Sequence, residues 1–236
     1  MMSPDGYGYR DPTSLTKWAR WLVSAYLVIS SVAVISGSLH HNVLTSLRDG
    51  VYETEEDAHA AATASERNQL IVALFQLVIT VATGIITLRW IHRANWNGRA
   101  LGAARLDFTP GWSVGWYFVP VMNLWKPYQA MKQIWQASAQ PKDWQSQPTP
   151  PVLGWWWFLW VISTLLGNAS FRAEMRGEEL DQLITASGIT LASDVVLIPL
   201  CVVFLIVITR ISAMQARHVA AWAPASDALV VPVAGA

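Results

Sequence analysis

A single cysteine, Cys201, in 236 residues excludes an intrachain disulfide framework and any thiolate-based metal site. Charge is also scarce. Asp, Glu, Lys and Arg make up 14% of the chain and the formal net charge is zero, whereas soluble domains carry about a quarter charged residues. Without a basic surplus there is no electrostatic footprint for nucleic acid, and no such partner is expected. The five histidines fall at no metal-motif spacing. His40, His41 and His59, the last beside Glu55, Glu56 and Asp57, read as part of a solvated acidic face. His92 and His218 lie outside the apolar stretches, so they offer no bis-histidine haem site within a bundle. No metal or cofactor is predicted.

What the chain has in quantity is apolar length. Four stretches, about 21–39, 70–88, 152–167 and 195–211, are free of charge except for Arg210 near the end of the last. Runs of this kind cross bilayers as helices, because lipid cannot satisfy free backbone N–H and C=O groups. The third is short, and Trp155, Trp156 and Trp157 at its start extend it as an interfacial anchor. The first is about 19 residues long, longer than the core of a secretory signal, and is expected to be retained as a span.

The charges sort by side. Residues 1–20 hold three Lys or Arg, residues 89–151 hold seven, and Arg210 and Arg217 close the last span. The loops 40–69 and 168–194 hold four, with eleven of the sixteen acids. Positive residues remain in the cytoplasm, so both termini and the central loop are predicted inside. Residues 1–20 read as a cytoplasmic tail, 21–220 as one membrane domain and 221–236 as a disordered tail. Residues 53–67 read as a polar helix extending the second span. No ionisable residue is expected inside the bilayer. Gln76, Thr80, Thr83, Thr87, Ser163 and Thr164 read as interhelical packing groups, and Ala33-x-x-x-Gly37 and Thr80-x-x-x-Gly84 as close-contact spacings.

The central loop carries the least ordinary sequence. Residues 111–124, GWSVGWYFVPVMNL, are apolar but too short to span. Pro127 suits the first turn of a following helix. On that helix Tyr128, Met131, Ile134 and Trp135 share a face, with Lys126, Lys132 and Gln133 elsewhere, the pattern of a helix lying in the interface. A crossing here would bring Lys126 near mid-bilayer, so 108–138 is predicted to be re-entrant or interfacial. All fourteen tryptophans avoid the two acidic loops. They form an aromatic belt on one leaflet and, around this element, the material of a binding face. Gly111-Trp-Ser-Val-Gly115 also matches G-x-S-x-G spacing, which has catalytic meaning only at a strand-to-helix turn.

The stretch DFTPGWSVGWYFVPVMNLWKPYQAMKQIWQAS, 107–138, resembles the signature of a bacterial family of multi-span membrane proteins catalogued only as a domain of unknown function. The likeness rests on Phe108, Pro110, Gly111, Trp112, Val114, Gly115, Trp116, Pro120, Asn123, Leu124, Lys126, Pro127 and Tyr128, and on the preceding RWIHRANWNGRALGA. The resemblance implies four membrane helices in a bacterial inner membrane and implies no activity.

The sequence therefore predicts an all-α integral membrane bundle of four transmembrane helices with a cytoplasmic re-entrant or interfacial element. Its role is read as non-enzymatic, a lipid- or partner-binding accessory subunit. The binding residues expected are Arg93, Trp112, Trp116, Asn123, Trp125, Lys126, Tyr128, Lys132 and Trp135. Membrane lipids, a further copy of the chain or another membrane protein are the expected partners. The alternative is a small oligomeric channel or transporter, and a membrane hydrolase built on Ser113 comes third.

Overall fold

The computed structural model describes residues 7–175 and 179–227, which are mostly helical with no strand among them. Four long helices dominate: α1 (Thr13–Arg48), α2 (Glu55–Ala100), α5 (Pro151–Glu174) and α6 (Leu180–Asp227). Two shorter ones, α3 (Trp112–Gly115) and α4 (Lys126–Ala139), lie between α2 and α5. Each of the long helices is long and apolar enough to cross a membrane. The polar extension expected before the second span is the first part of α2, and α5 runs past the short apolar stretch on which it was predicted.

Local chemistry sets the helix ends. Asp11 accepts from the Thr13 amide at 2.9 Å and from its hydroxyl at 2.6 Å, capping α1. Thr54 and Asp57 cap α2 reciprocally, amide to hydroxyl at 3.1 Å and hydroxyl to carboxylate at 2.7 Å. Gly102, at φ 105°, ends α2, in a backbone conformation that costs glycine least. Pro151 opens α5, where its missing N–H leaves nothing unsatisfied.

The chain forms two compact units. The second unit comprises residues 20–85 and 154–205. Its outward surface is apolar: Leu70, Ile71, Leu74, Phe75, Leu77, Val78, Val81 and Ile85 of α2 are all exposed, as lipid-facing side chains must be. Its buried contacts are closer and smaller. Ala33 is buried and a Cβ on Gly37 would meet Leu191 at 3.6 Å, so this small-residue spacing does bring helices together. Gly84 is exposed with nothing within 4 Å of its absent Cβ, so the Thr80–Gly84 spacing does not. Ser163 and Thr164 return their hydroxyls to the Trp160 carbonyl at 3.0 and 2.8 Å. Trp157 and Trp160 stack at 4.7 Å, and Trp156 stacks on Phe204 at 5.7 Å. Gln76 does join two helices: its amide, on α2, donates to the carboxylate of Asp194 on α6 at 2.8 Å.

The first unit comprises the described residues of 1–19, 86–153 and 206–236. Trp90, Ile91, Met131, Ile134, Leu153, Val207, Ile208 and Ile211 make its core. Here three expectations change. Helix α4 is amphipathic, but Met131, Ile134, Trp135 and also Gln133 are buried within the unit, so its apolar face is covered by protein. Residues 7–12 are not a free tail: Arg10 pairs its amide and carbonyl with the Asn97 side chain at 3.1 and 2.8 Å. Finally, α6 continues to Asp227, past the end expected for the last helix. The rest of the tail expected at 221–236, residues 228–236, lies outside the described residues, as do residues 1–6.

Candidate functional site

The first unit is organised around buried polar side chains from the last three turns of α2. Arg99 is only 8% exposed and has no carboxylate partner among the described residues. Its Nη2 donates to the carbonyls of Leu106 and Phe108, both at 2.9 Å, and its Nε to Asn95 Oδ1 at 3.3 Å. Asn95 in turn donates to the Phe108 carbonyl at 3.1 Å. These bonds fold residues 101–110 back over α2, and Gln133 of α4 fixes the same segment through Asp107. Gln215 of α6 reaches the Ala94 carbonyl and Ser138 Oγ, both at 2.9 Å. A buried polar group unsatisfied costs about 1–3 kcal/mol, so this network specifies how the segments meet.

A second set of contacts fastens residues 7–12 to α2. Asn97 clamps Arg10, Trp96 Nε1 donates to the Gly8 carbonyl at 2.7 Å, and the Arg10 guanidinium lies 3.8 Å from the Trp96 ring centre. Arg93 Nη1 donates to the Asp11 carbonyl at 3.0 Å.

Beside this clamp is an open groove of about 690 Å³. Its polar lining includes Arg10, Arg89, His92, Arg93 and Asp11, and its apolar lining includes Leu15, Trp18, Ile86, Leu88 and Val114. Three arginines and one aspartate thus line it. That carboxylate is held low in pKa by its hydrogen bonds from the Thr13 hydroxyl and amide, with Arg93 adding to the effect. Partial burial lowers the pKa of His92, and the nearby Arg10 and Arg93 lower it further, so the imidazole is neutral at pH 7 and gains charge on acidification. The groove is therefore cationic at one part and apolar at another, as an anionic amphiphile requires.

The predicted binding residues separate. Arg93 lines the groove. Trp112 and Trp116 pack at 4.7 Å between ring centres, and Lys126 Nζ lies 5.9 Å from the Trp116 ring and 5.6 Å from that of Phe108, a cation beside aromatic faces. Trp116 Nε1 is buried with no hydrogen-bond partner among the described residues. Trp112 and Trp125 are exposed, while Asn123, Tyr128 and Lys132 are half-buried. Trp135 is a core residue, 7% exposed. Trp112 and Trp125 share an exposed apolar tip with Phe118, Val121 and Leu124, and Val121 sits at φ 66°, a strained conformation for a β-branched residue. Arg10, Arg89 and His92 were not among the binding residues predicted from the sequence. The arginine-rich run after the second span was their only signal, and nothing in it says that residues 8–11 return to it.

Ser113 is wholly buried and donates to the Pro110 carbonyl at 2.7 Å. It lies within a four-residue helix, with no strand before it among the described residues, so the nucleophile-elbow geometry is missing.

Helices of this length and apolarity, with a lipid-like outer surface, define a multi-pass all-α membrane protein. Residues 53–213 match the family described as Domain of unknown function (DUF4328), and the chain belongs to that family. No curated protein and no solved structure matches it.

Proposed function

We propose that this protein is a non-enzymatic membrane subunit that holds the anionic headgroup of a lipid in the groove of the first unit. The observation that carries the reading is the lining itself: Arg10, Arg89 and Arg93 against Trp18, Leu15, Ile86 and Leu88, with a single carboxylate. A phosphate accepts hydrogen bonds from guanidinium in a planar, bidentate way, and the apolar wall takes the start of the acyl chain. The exposed tip at Phe118, Val121 and Trp125 has the composition of a surface that contacts membrane or a partner. The charge sorting supports a bacterial inner membrane with residues 1–20 and 89–151 in the cytoplasm.

The test is retention of phosphatidylglycerol against phosphatidylcholine in nanodiscs, read by native mass spectrometry. Each arginine near a headgroup contributes about 1 kcal/mol. Arg89→Ala with Arg93→Ala is thus expected to weaken anionic lipid retention about 30-fold while leaving the neutral lipid unaffected. Equal retention of both lipids by the wild type would remove the proposal.

His92 gives the site a pH dependence of known sign. Its proton is bound only below its ordinary value, and each proton adds positive charge to the groove. Anionic lipid retention is expected to rise as pH falls through that range, and His92→Gln to flatten the profile. In the lipid-free protein the same depressed pKa acts oppositely: the stability linked to neutral His92 is present at higher pH and lost on acidification.

A further inference from the structure

We propose that Asp194 is a proton-binding site inside the membrane, formed with Gln76 and reached from the acidic end of the second unit through Glu174, Ser170 and Thr190. The site is independent of the lipid groove and lies wholly within the second unit.

Two helices give its depth separately. Asp194 is the only charged residue between Asp181 and Arg210 on α6, 16 residues from Arg210. At 1.5 Å per residue that is about 24 Å. Gln76, which touches it, is 13 residues from Arg89 on α2, or about 20 Å. With Arg89 and Arg210 at the opposite boundary of a hydrocarbon core of about 30 Å, both counts put the carboxyl roughly 6–10 Å below the boundary nearest the α5–α6 turn. Asp194 is 8% exposed, and among the described residues no Lys, Arg or His pairs with it. Among the described residues its side-chain donor is neutral, the Gln76 Nε2 at 2.8 Å. An intramembrane carboxyl with no cation among the described residues beside it is costly when ionised and marks ion or proton chemistry.

Two hydroxyls and a carboxylate gather about one helical turn from it. Thr190 precedes Asp194 by one turn of α6, and its Oγ1 lies 2.9 Å from Glu174 Oε1 and 2.6 Å from Ser170 Oγ. Ser170 Oγ donates to the same Glu174 oxygen at 3.2 Å. Glu174 is exposed, at the end of α5, and its charge is felt at Asp194. Beyond Asp194, α2 presents neutral Thr80, hydrogen-bonded with Tyr26 of α1, and α6 presents Cys201 near Tyr26. One turn from Tyr26 the wholly buried Ser30 hydroxyl has no partner among the described residues, a position suited to a bound water. The groups facing Asp194 are thus Glu174, Tyr26 and the neutral amide of Gln76. The step is a protonation: a proton from water passes by Glu174 and the two hydroxyls to Asp194, converting the carboxylate to the acid with no other bond changed, and returns by the same route.

The experiment is infrared difference spectroscopy of the full chain in lipid vesicles between acid and alkaline buffer. A protonated-carboxyl C=O band that follows bulk pH and disappears in Asp194→Asn is expected, as is a several-fold slower response in Glu174→Gln. Mass-spectrometric mapping of dicyclohexylcarbodiimide, which attacks protonated carboxyls from the lipid, needs no variant and is expected to find its adduct on Asp194. A band indifferent to pH, or the absence of both the Asp194 band and the Asp194 adduct in the folded wild type, overturns the proposal.

Discussion

Arg99→Ala is expected to release residues 101–110 from α2 and to destabilise the first unit by on the order of 3–5 kcal/mol, since hydrogen bonds to a charged group are worth about 1.5–3 kcal/mol each. The guanidinium makes two bonds to the carbonyls of Leu106 and Phe108 and a third to Asn95. Truncation leaves these acceptors buried where no water replaces the donor. Charge alone does not restore them. Arg99→Lys supplies one ammonium where a planar fork meets several acceptors, and recovery of no more than half is expected. The readout is hydrogen exchange in nanodiscs: amides of 101–139 lose protection, while those of 70–85 in the second unit keep theirs. Unchanged protection at 101–139 would show that the network is redundant.

Asn97→Ala is expected to free residues 7–12 and, with them, one wall of the groove. Asn97 is wholly buried and makes a reciprocal pair with the Arg10 backbone at 3.1 and 2.8 Å. Loss of two such bonds costs about 2–4 kcal/mol when the desolvation of the abandoned groups is included. Because the released segment includes Arg10 and Asp11, anionic lipid retention is expected to fall about fivefold, one guanidinium's worth near a headgroup. Asn97→Asp separates the two roles of the amide, since it keeps the acceptor for the Arg10 N–H but has no donor for its carbonyl. Fast exchange of the Arg10 amide in Asn97→Ala and slower exchange in Asn97→Asp would confirm the clamp. An Asn97→Ala protein with a protected Arg10 amide and full lipid retention would contradict it.

The two units differ in how far they were legible. In the second, the outward face follows a one-residue-at-a-time rule, since any side chain facing lipid must be apolar. The run from Leu70 to Ile85 therefore announced its surroundings directly. In the first, side chains meet across long sequence separations. The amphipathic pattern of α4 was correctly visible, but the pattern does not say whether lipid or protein covers the apolar face, and here Trp135 and Ile134 are covered by protein. Residues 7–12, rich in Gly, Tyr and charge, carry no periodicity at all. Their order comes from Asn97 and Trp96, about 87 residues away.

Sequence alone determined the number of spans, the helical class and the family, because backbone desolvation in lipid acts on each segment separately. The tertiary structure decided the rest. It placed Arg99 as a scaffold and Arg10, Arg89, His92 and Arg93 around one groove. It also carried Asp194, which stands at the edge of an apolar run, to the side of Gln76. Hydrogen-bond partners of buried polar groups are chosen by geometry in three dimensions, and no local pattern in the chain encodes that choice.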